Sequence, residues 1–459
     1  MTAILLAAML LQAGDMQVAP GSTLQSRPPA AQASPLQERI DRAAAGSTID
    51  VSAGTYAGDL YVDRAITLVG HGRPRLIGSG AGSVVLIRAA DVTIEGFDID
   101  GRGGGDLGMD SSGIHVAAPR ATIRDCRIVN SLFGIYLRDA PGSKVERTRI
   151  VGIREKSAGE KGSGIHVWNT DGFELTGNDI TDVRDGLYIQ SSPHGLVRGN
   201  TARNLRYGLH YMYSDDNTFE DNVFENGAAG TTLMYSRRIT FRHNQFLRNR
   251  GSASVGLLFK SCDDVLAEDN LIADNARGIV LEGSTDSVFR GNVVIGSDIA
   301  IVLYDSTSGT RFTGNSFIGN LTPLSLSGRR TDTIFSGNYW SDNESLDLDG
   351  DGITDQPYRL SSLFDHVRGN IIAADLVSRS LAASAVAAAE KSLPVLESIP
   401  VVDPAPLARP PALSVPAPAP SADDSRDLAG LAASVLMLGA GTWLLAGRAR
   451  RAAFPRAGA

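Results

Sequence analysis

One asparagine recurs at an almost constant interval through the middle of the chain, and this repeat limits the folds that the sequence can adopt. The asparagines that share this position are Asn178, Asn200, Asn222, Asn244, Asn270, Asn292, Asn315 and Asn338. Their spacings are 22, 22, 22, 26, 22, 23 and 23 residues. A period of this length is typical of solenoids, in which each repeat forms one turn and packs on its neighbours.

A glycine recurs in step with the asparagine, and each glycine begins a short segment of alternating apolar and polar residues. The glycines are Gly134, Gly164, Gly186, Gly208, Gly230, Gly256 and Gly278, with Ala300 at the next position. Alternation predicts β-strands, and short strands at a fixed period predict a right-handed parallel β-helix over residues 35–345. A leucine-rich horseshoe is the competing fold, and it fits less well because its leucine spacing is absent.

The segments before the repeat predict an export signal and a cap. Residues 1–13 resemble the apolar part of a secretory signal without a basic leader, and residues 14–34 form a linker. The stretch "SPLQERIDRAAAGSTIDVSAGTY" (34–56) predicts a short helix that shields the open edge of the first turn. The charged insertion at 153–163 predicts a surface loop, because insertions in a solenoid lie on its outside.

The chain after the repeat divides into segments of distinct composition. They are an acidic loop (346–358), an Ala-rich helical segment (359–392), a proline-rich extended linker (393–427), an apolar helix (428–447) and a basic tail (448–459). The apolar helix has 20 uncharged residues, which at about 1.5 Å per residue span a bilayer core of roughly 30 Å. Acidic residues before it and arginines after it predict a cytoplasmic tail, with everything upstream on the other side. A buried core helix is the alternative.

Charge and cysteine content argue against two classes of function. The net charge is -8, and nucleic acid is therefore not expected as a partner, because phosphate binding needs a basic surface. Cys126 and Cys262 stand far apart without a second cysteine nearby, so neither predicts a thiolate metal pair.

Strand alternation assigns the residues near each glycine to the inside or the outside of the coil. The residues one and three after the glycine are apolar and point inward, so those two and four after it point outward. One outward column reads His115, Tyr136, His166, Tyr188, His210, Thr232, Leu258, Val280 and Val302. The other reads Arg138, Trp168, Gln190, Met212, Met234, Lys260, Glu282 and Tyr304.

Three of these outward residues predict a copper site. Neighbouring turns lie about 4.8 Å apart, so Met212 is expected beside Met234, with His210 next to Met212. Thioether and imidazole ligands suit Cu(I), and two sulfurs with one nitrogen bind it loosely enough for release. His166 is an alternative ligand, and Trp168 an apolar lid. Contacts with a partner protein, or a chance arrangement, are the alternatives.

The acidic loop "DLDGDGITD" (347–355) predicts a calcium site. Its carboxylates are Asp347, Asp349, Asp351 and Asp355, with Gly352 at the bend. They match positions 1, 3, 5 and 9 of a calcium loop. Position 12 is Tyr358 instead of a bidentate glutamate, so an acidic turn without metal is the alternative.

Long phrases of the sequence resemble one protein family. They are "LFGIYLRDAPGSKVE", "LRYGLHYMYSDDNTFE", "LMYSRRITFR", "GRRTDTIFSGNYWSDNE", "DLDGDGITDQPYRLSSLFDHVRGN" and "IPVVDPAPLARPP". These phrases are similar to the NosD family of nitrous oxide reductase maturation proteins, from about residue 35 to about residue 412. The matching phrases contain His210, Met212 and Met234.

The resemblance implies a periplasmic β-helix without enzymatic activity that works with an ABC-type permease and its ATPase. It implies delivery of copper to nitrous oxide reductase, with a copper chaperone lipoprotein as donor. The predicted membrane helix would then anchor the protein to the inner membrane. Two other functions stay open: a carbohydrate-active lyase or epimerase, which needs clustered carboxylates, and a metal-free binding scaffold. Sulfur as the cargo also stays open.

Overall fold

A computed structural model of the chain describes residues 34–105, 107–251, 254–327, 331–360 and 401–411. These residues form an all-β parallel solenoid of about 13 turns, as the repeat predicts. The predicted signal segment, membrane helix and basic tail, with most of the Ala-rich segment, lie outside the described residues. Within those ranges no helix is long and apolar enough to cross a membrane.

Three long parallel sheets run along the solenoid, and each turn contributes one strand to each sheet, except that the last described turn has no strand in sheet C. Sheet A consists of Thr48–Val51, Thr67–Gly70, Thr93–Glu95, Thr122–Arg124, Lys144–Glu146, Glu174–Thr176, Leu196–Arg198, Thr218–Glu220, Thr240–Arg242, Leu266–Glu268, Val288–Arg290, Arg311–Thr313 and Ile334–Ser336. Sheet B consists of Thr55–Ala57, Arg75–Ile77, Asp98–Asp100, Arg127–Val129, Arg149–Val151, Asp179–Thr181, Thr201–Arg203, Val223–Glu225, Gln245–Leu247, Leu271–Ala273, Val293–Ile295, Ser316–Ile318 and Tyr339–Trp340. Sheet C consists of Leu60–Val62, Val85–Ile87, Ser112–Val116, Phe133–Arg138, Ile165–Trp168, Asp185–Gln190, Tyr207–Met212, Ala229–Arg237, Val255–Asp263, Arg277–Glu282, Ile299–Tyr304 and Thr322–Ser327.

Sheet C bends at the recurring glycines. A Cβ atom built on Gly186 would lie 2.6 Å from the carbonyl oxygen of Gly208 in the next turn and 2.7 Å from the Cβ of Ala202 in the core. No side chain fits in this space, which explains the glycine. The glycine and the residue after it therefore both face the interior. As a result, the residue before the glycine joins the outer face, although simple alternation would place it inside.

The recurring asparagines form a continuous buried ladder between turns. Asn200 Oδ1 accepts hydrogen bonds from the backbone N and the Nδ2 of Asn178, at 3.0 and 2.8 Å. Asn178 Nδ2 also donates to the Val145 carbonyl oxygen at 3.0 Å. The same pattern continues through Asn338, and every member is at most 1% exposed. Because an unpaired buried polar group costs about 1–3 kcal/mol, each turn depends on its neighbours.

The short helix α1 (Pro35–Arg42) closes the first turn. Leu36 and Ile40 pack into the core. Gln37 satisfies the open edge of sheet C, because its Nε2 donates to the Tyr61 oxygen at 3.0 Å and its Oε1 accepts from the Tyr61 nitrogen at 2.8 Å. The unpaired edge is therefore shielded, as the sequence predicts. Two single-turn 3₁₀ helices, Leu107–Met109 and Ala158–Glu160, lie in loops, the second within the predicted insertion.

The other end of the solenoid differs from the sequence-based segmentation. Tyr358–Arg359, expected where the acidic loop ends and a helical segment begins, form a strand that pairs antiparallel with Val402–Asp403. Residues 401–411, expected in an extended linker, pack against the last turn, where Leu407 donates to the Asn338 carbonyl oxygen. Periodicity could not predict this contact, because it joins segments more than 60 residues apart.

Asp403 terminates the asparagine ladder. Its Oδ2 accepts from the backbone N and the Nδ2 of Asn338 at 3.0 and 2.9 Å, and from Trp340 Nε1 at 3.1 Å. Its Oδ1 accepts from the Gly337 nitrogen at 3.0 Å. A completely buried carboxylate thus takes the place that the next asparagine would occupy.

We expect Asp403→Ala to lower the free energy of unfolding by about 2–4 kcal/mol, because it leaves several buried donors without an acceptor. Urea denaturation monitored by tryptophan fluorescence measures this change, since Trp340 contacts Asp403 directly. The exposed Asp305→Ala is the matched control and should leave the unfolding curve unchanged. Equal stability of the two variants would contradict a capping role.

Candidate metal centre

The outward columns of sheet C have the register that the sequence predicts. His210 pairs with Tyr188 of the preceding turn. Met212 pairs with Met234 of the following turn. Since paired strands lie about 4.8 Å apart, both methionines occupy adjacent positions on one face, beside the histidine.

The column that contains His210 is a stack of rings. In order along the solenoid, the rings are His115, Tyr136, His166, Tyr188 and His210. Successive ring centroids lie 5.1, 4.4, 4.3 and 4.7 Å apart. The three histidines are only 3, 6 and 7% exposed. The rings of this outward column are therefore buried, although they lie outside the coil.

Residues that precede the glycines cover the ring stack. Phe133 packs on the His166 ring with centroids 5.4 Å apart, and Tyr207 packs on the His210 ring at 5.3 Å. Both stand on the outer face because the strand bends at the glycine. Ile153, the first residue of the charged insertion, joins Leu132 and Phe133 in one buried apolar cluster and extends this cover.

A buried ion pair holds His210. Its Nδ1 lies 3.4 Å from Oδ2 of Asp185, whose side chain is completely buried. Arg206 binds the same carboxylate twice, from Nε to Oδ1 at 2.9 Å and from Nη2 to Oδ2 at 2.7 Å. A carboxylate only accepts hydrogen bonds, so the proton of the neutral ring belongs on Nδ1. Nε2 then carries the lone pair; it is buried and has no hydrogen-bond partner among the described residues.

The charge on Asp185 is maintained in this buried position. Burial opposes ionisation, but hydrogen bonds from His210 and Arg206 outweigh it and hold the pKa of the carboxyl well below its usual range. Asp185 and Arg206 were not identified from the sequence. The unusual acid one residue before Gly186 was a usable signal, but alternation assigned that position to the interior.

The two methionines place soft donors next to His210. Met234 is 9% exposed and Met212 is half-buried. The Tyr188 hydroxyl donates to Gln190 Oε1 at 2.9 Å and lies 4.0 Å from the Met212 sulfur. Thioether and imidazole donors suit Cu(I), whereas Mg²⁺ and Ca²⁺ require oxygen ligands. The residues present therefore fit a soft monovalent ion.

The two accessory residues of the predicted site lie farther away. The Tyr188 ring stands between His166 and His210, with centroids 4.3 and 4.7 Å from theirs. Trp168 packs against the guanidinium of Arg138, whose carbon is 4.8 Å from the ring centroid. His210 and the two methionines thus lie next to one another, whereas His166 and Trp168 are separated from them.

The acidic loop brings three of its four predicted ligands together. Asp347, Asp349 and Asp351 each offer an oxygen within 4.8 Å of the others. Asp355 instead accepts a hydrogen bond from the Leu348 nitrogen at 3.1 Å. Backbone N–H groups of the turn also donate hydrogen bonds to the three clustered carboxylates. These hydrogen bonds stabilise the turn without an ion. Calcium binding stays a prediction.

Two exposed tyrosines follow the methionines directly. Tyr213 and Tyr235 are 55 and 46% exposed, and their rings stack with centroids 5.2 Å apart. Their φ angles are 50° and 51°, in the left-handed region that bulky residues rarely adopt. The same position in neighbouring turns is occupied by Asp139, Asn169, Ser191 and Ser261. A comparison of this position between turns could have revealed the pair from the sequence.

Comparison with known proteins relates this site to one family. Residues 142–345 match the family model described as "Periplasmic copper-binding protein (NosD)". A relative in Pseudomonas aeruginosa, "Probable ABC transporter binding protein NosD", is 29% identical over 157 residues, 34% of this chain and 37% of the relative. A second relative with the same description, from Stutzerimonas stutzeri, is 30% identical over 135 residues, which are 29% of this chain and 31% of the relative.

The predicted resemblance to NosD is therefore confirmed, and the matched region contains the histidine and both methionines of the candidate site. The chain spans about a third of the length of these curated relatives.

Solved structures share the fold at low sequence identity. The A-module of the Azotobacter vinelandii mannuronan C-5 epimerase AlgE6 superposes with a TM-score of 0.55 and 14% identity, covering 65% of this chain and 93% of that chain. The AlgE4 A-module gives a TM-score of 0.53 and 15% identity, covering 65 and 94%. At this identity the likeness shows the fold alone.

Burial keeps two other histidines of the ring stack neutral. Desolvation, together with the positive charge of Arg138, lowers the pKa of His115 to about 4. Desolvation, together with Arg184, lowers the pKa of His166 to about 3. The exposed His194 is the natural contrast, because its hydrogen bond to Asp171 raises its pKa.

We expect the His115 and His166 rings to remain neutral at pH 5, where His194 is protonated. Since the unfolded pKa is about 6.5, their neutral burial contributes stability above that pH, and this contribution is lost as the pH falls towards 4 and then 3. Histidine ring ¹⁵N chemical shifts, followed as a function of pH, measure each protonation state. Titration of His166 near pH 6.5 would contradict the buried ring stack.

Proposed function

We propose that this chain is a periplasmic copper-binding factor that holds Cu(I) transiently at His210, Met212 and Met234. In this proposal it receives copper from a chaperone lipoprotein and passes it on during maturation of nitrous oxide reductase. It acts together with an ABC-type permease and its ATPase. The observation that carries the proposal is the unpartnered, buried Nε2 of His210 beside two paired methionines.

The chemistry of these donors supports transfer rather than storage. Neither methionine carries a charge, and the described residues of this face offer no thiolate, since both Cys126 and Cys262 are buried elsewhere in the core. Two thioethers and one imidazole stabilise Cu(I) by soft donation without a compensating negative charge. Ligand exchange with an approaching partner is then possible without breaking a strong thiolate bond.

The names of the family and of the relatives support the wider setting. The family model names a periplasmic copper-binding protein, and the relatives are named as ABC transporter binding proteins. No catalytic step is part of the proposal. On the outer face Lys260 and Glu282 pair with each other at 2.9 Å, so this carboxylate is neutralised instead of joining a cluster of acids. Turnover of a uronic-acid polymer by the purified protein would support the enzyme alternative.

We expect removal of the soft donors to abolish Cu(I) binding. Met212→Leu with Met234→Leu keeps the apolar volume but removes both sulfurs, and His210→Ala removes the nitrogen. Competition with a chromophoric Cu(I) chelator under anaerobic conditions measures the affinity. A loss of at least about 1,000-fold is expected for the triple variant, because it removes three coordination bonds and about 1.4 kcal/mol for each bond corresponds to a tenfold change in affinity.

Variants of exposed histidines are the controls for this measurement. His194→Ala and His243→Ala remove exposed imidazoles that lie beside aspartates. Both should retain the wild-type Cu(I) affinity. Wild-type affinity in the triple variant would exclude the proposed site.

The tyrosine pair supports a protein partner at this site. Direct transfer requires that donor and acceptor ligands contact the same ion, so the partner must cover the surface around the methionines. Tyr213 and Tyr235 lie on that surface and accept an unfavourable backbone conformation while remaining exposed. Exposed aromatic side chains of this kind are frequent binding hot spots.

We expect Tyr213→Ser with Tyr235→Ser to slow Cu(I) transfer from the loaded chaperone lipoprotein by about 10-fold or more. Two other turns carry a serine at this position, Ser191 and Ser261. The fold and the Cu(I) affinity should therefore be preserved in the double variant. Stopped-flow measurement of copper transfer tests this, with a small Cu(I) chelate as a donor whose rate should not change. Unchanged transfer from the chaperone would contradict docking on the tyrosines.

A further inference from the structure

We propose that Asp185 is the positioning residue of the copper site. Its carboxylate, held by Arg206, fixes the ring orientation and the tautomer of His210 so that Nε2 presents its lone pair to the metal. This inference rests on the proposed function, because it concerns the same site, but it assigns a role to a residue that does not itself bind copper.

The position of Asp185 is unusual for a charged side chain. It stands one residue before a recurring glycine, on the outer face of sheet C, and it is completely buried. In the following turns the register places Tyr207, Ala229 and Val255 at the same position. Apolar residues therefore satisfy the fold here. A buried carboxylate costs free energy unless it is paired, so packing alone does not account for Asp185.

Arg206 determines what Asp185 can do. Its guanidinium occupies both oxygens, at 2.9 and 2.7 Å, and Arg184 lies 3.5 Å from Oδ2. With its oxygens engaged in this way, the carboxylate is not available as a hard metal ligand. The remaining acceptor capacity of Oδ2 is directed at His210 Nδ1, 3.4 Å away. Asp185 therefore acts on a metal through the imidazole.

Two aromatic rings restrict the motion of the imidazole. Tyr188 and Tyr207 meet His210 nearly edge-on, at interplanar angles of 78° and 82°. These contacts define a slot for the ring but do not distinguish its nitrogens. The hydrogen bond to Asp185 makes this distinction, because a carboxylate requires a protonated Nδ1. A carboxylate behind a ligating histidine is a recurrent arrangement that sets the tautomer and the basicity of the ligand.

Asp185→Asn tests this role without changing the size of the side chain. Arg206 donates to both oxygens of Asp185, and His210 faces the same Oδ2 that Arg206 Nη2 contacts. Whichever way the amide turns, its NH₂ meets an Arg206 donor, so the pair is broken and His210 loses the carboxylate that holds the proton on Nδ1. We expect Cu(I) affinity to fall by about 10–100-fold, as for other residues behind metal ligands. Ring ¹⁵N chemical shifts of His210 in the metal-free protein should change from protonated Nδ1 towards a mixture of the two tautomers.

Two control variants separate positioning from stability. Asp179→Asn removes one partner of another carboxylate–arginine pair, in which Arg203 Nη2 lies 2.6 Å from Asp179 on sheet B. Asn222→Ala breaks the asparagine ladder and lowers stability without touching the site. Both should retain the Cu(I) affinity and the His210 tautomer of the wild type. Urea denaturation of each metal-free variant records the loss of stability.

The outcomes distinguish this inference from the proposed function. If His210→Ala weakens Cu(I) binding but Asp185→Asn does not, the positioning role is wrong and the copper site stands. If His210→Ala also binds copper normally, the site itself is wrong. Should Asp185→Asn fail to fold, the wild-type spectrum decides alone: a proton on Nε2 of His210 in the metal-free protein would overturn the inference, and a proton on Nδ1 would uphold it.

Discussion

The buried asparagine ladder is the interaction on which the rest of the structure depends. Each side chain amide accepts from and donates to backbone and amide groups of adjacent turns, as Asn178 and Asn200 illustrate, so every turn completes the hydrogen bonds of the next. An unpaired amide inside the coil would cost about 1–3 kcal/mol, which makes a gap in the ladder unfavourable and fixes the register of the strands. Asp403 ends the ladder with a carboxylate that accepts hydrogen bonds from Gly337, Asn338 and Trp340 of the last turn.

A fixed register turns a linear sequence into columns of neighbours. Residues 22 positions apart become adjacent across about 4.8 Å, which is how Met212 meets Met234 and how rings accumulate into one stack. This geometry builds a site from side chains of separate turns without a special loop. The backbone under the site is held by the ladder, so the donor atoms are placed by the fold before any metal arrives. Such preorganisation lowers the cost of ordering the ligands on binding.

The electrostatics of the face offer a cation no strong net attraction. The negative charge of Asp185 is offset by Arg206 and Arg184, and the His115 and His166 rings are held uncharged by burial. A monovalent soft ion therefore enters surroundings without a strong net attraction. This balance favours moderate affinity, which is consistent with a site that exchanges its ion with a partner at the adjacent tyrosines.

The sequence by itself determined the solenoid, its period, the capping helix and the two outward columns, because each follows from the local alternation of side chains and from residue spacing. The pairing of Met212 with Met234 was therefore predictable. Only the tertiary structure decided that the ring column is buried, that Asp185 reaches His210, and that residues 401–411 close the last turn. The reason is physical: the first two depend on a bend at the glycines, which breaks the alternation that the prediction uses. The closure of the last turn by residues 401–411 joins parts of the chain that no repeat relates. Such long-range contacts depend on complementary shape and on hydrogen-bonding groups that the coil leaves without partners.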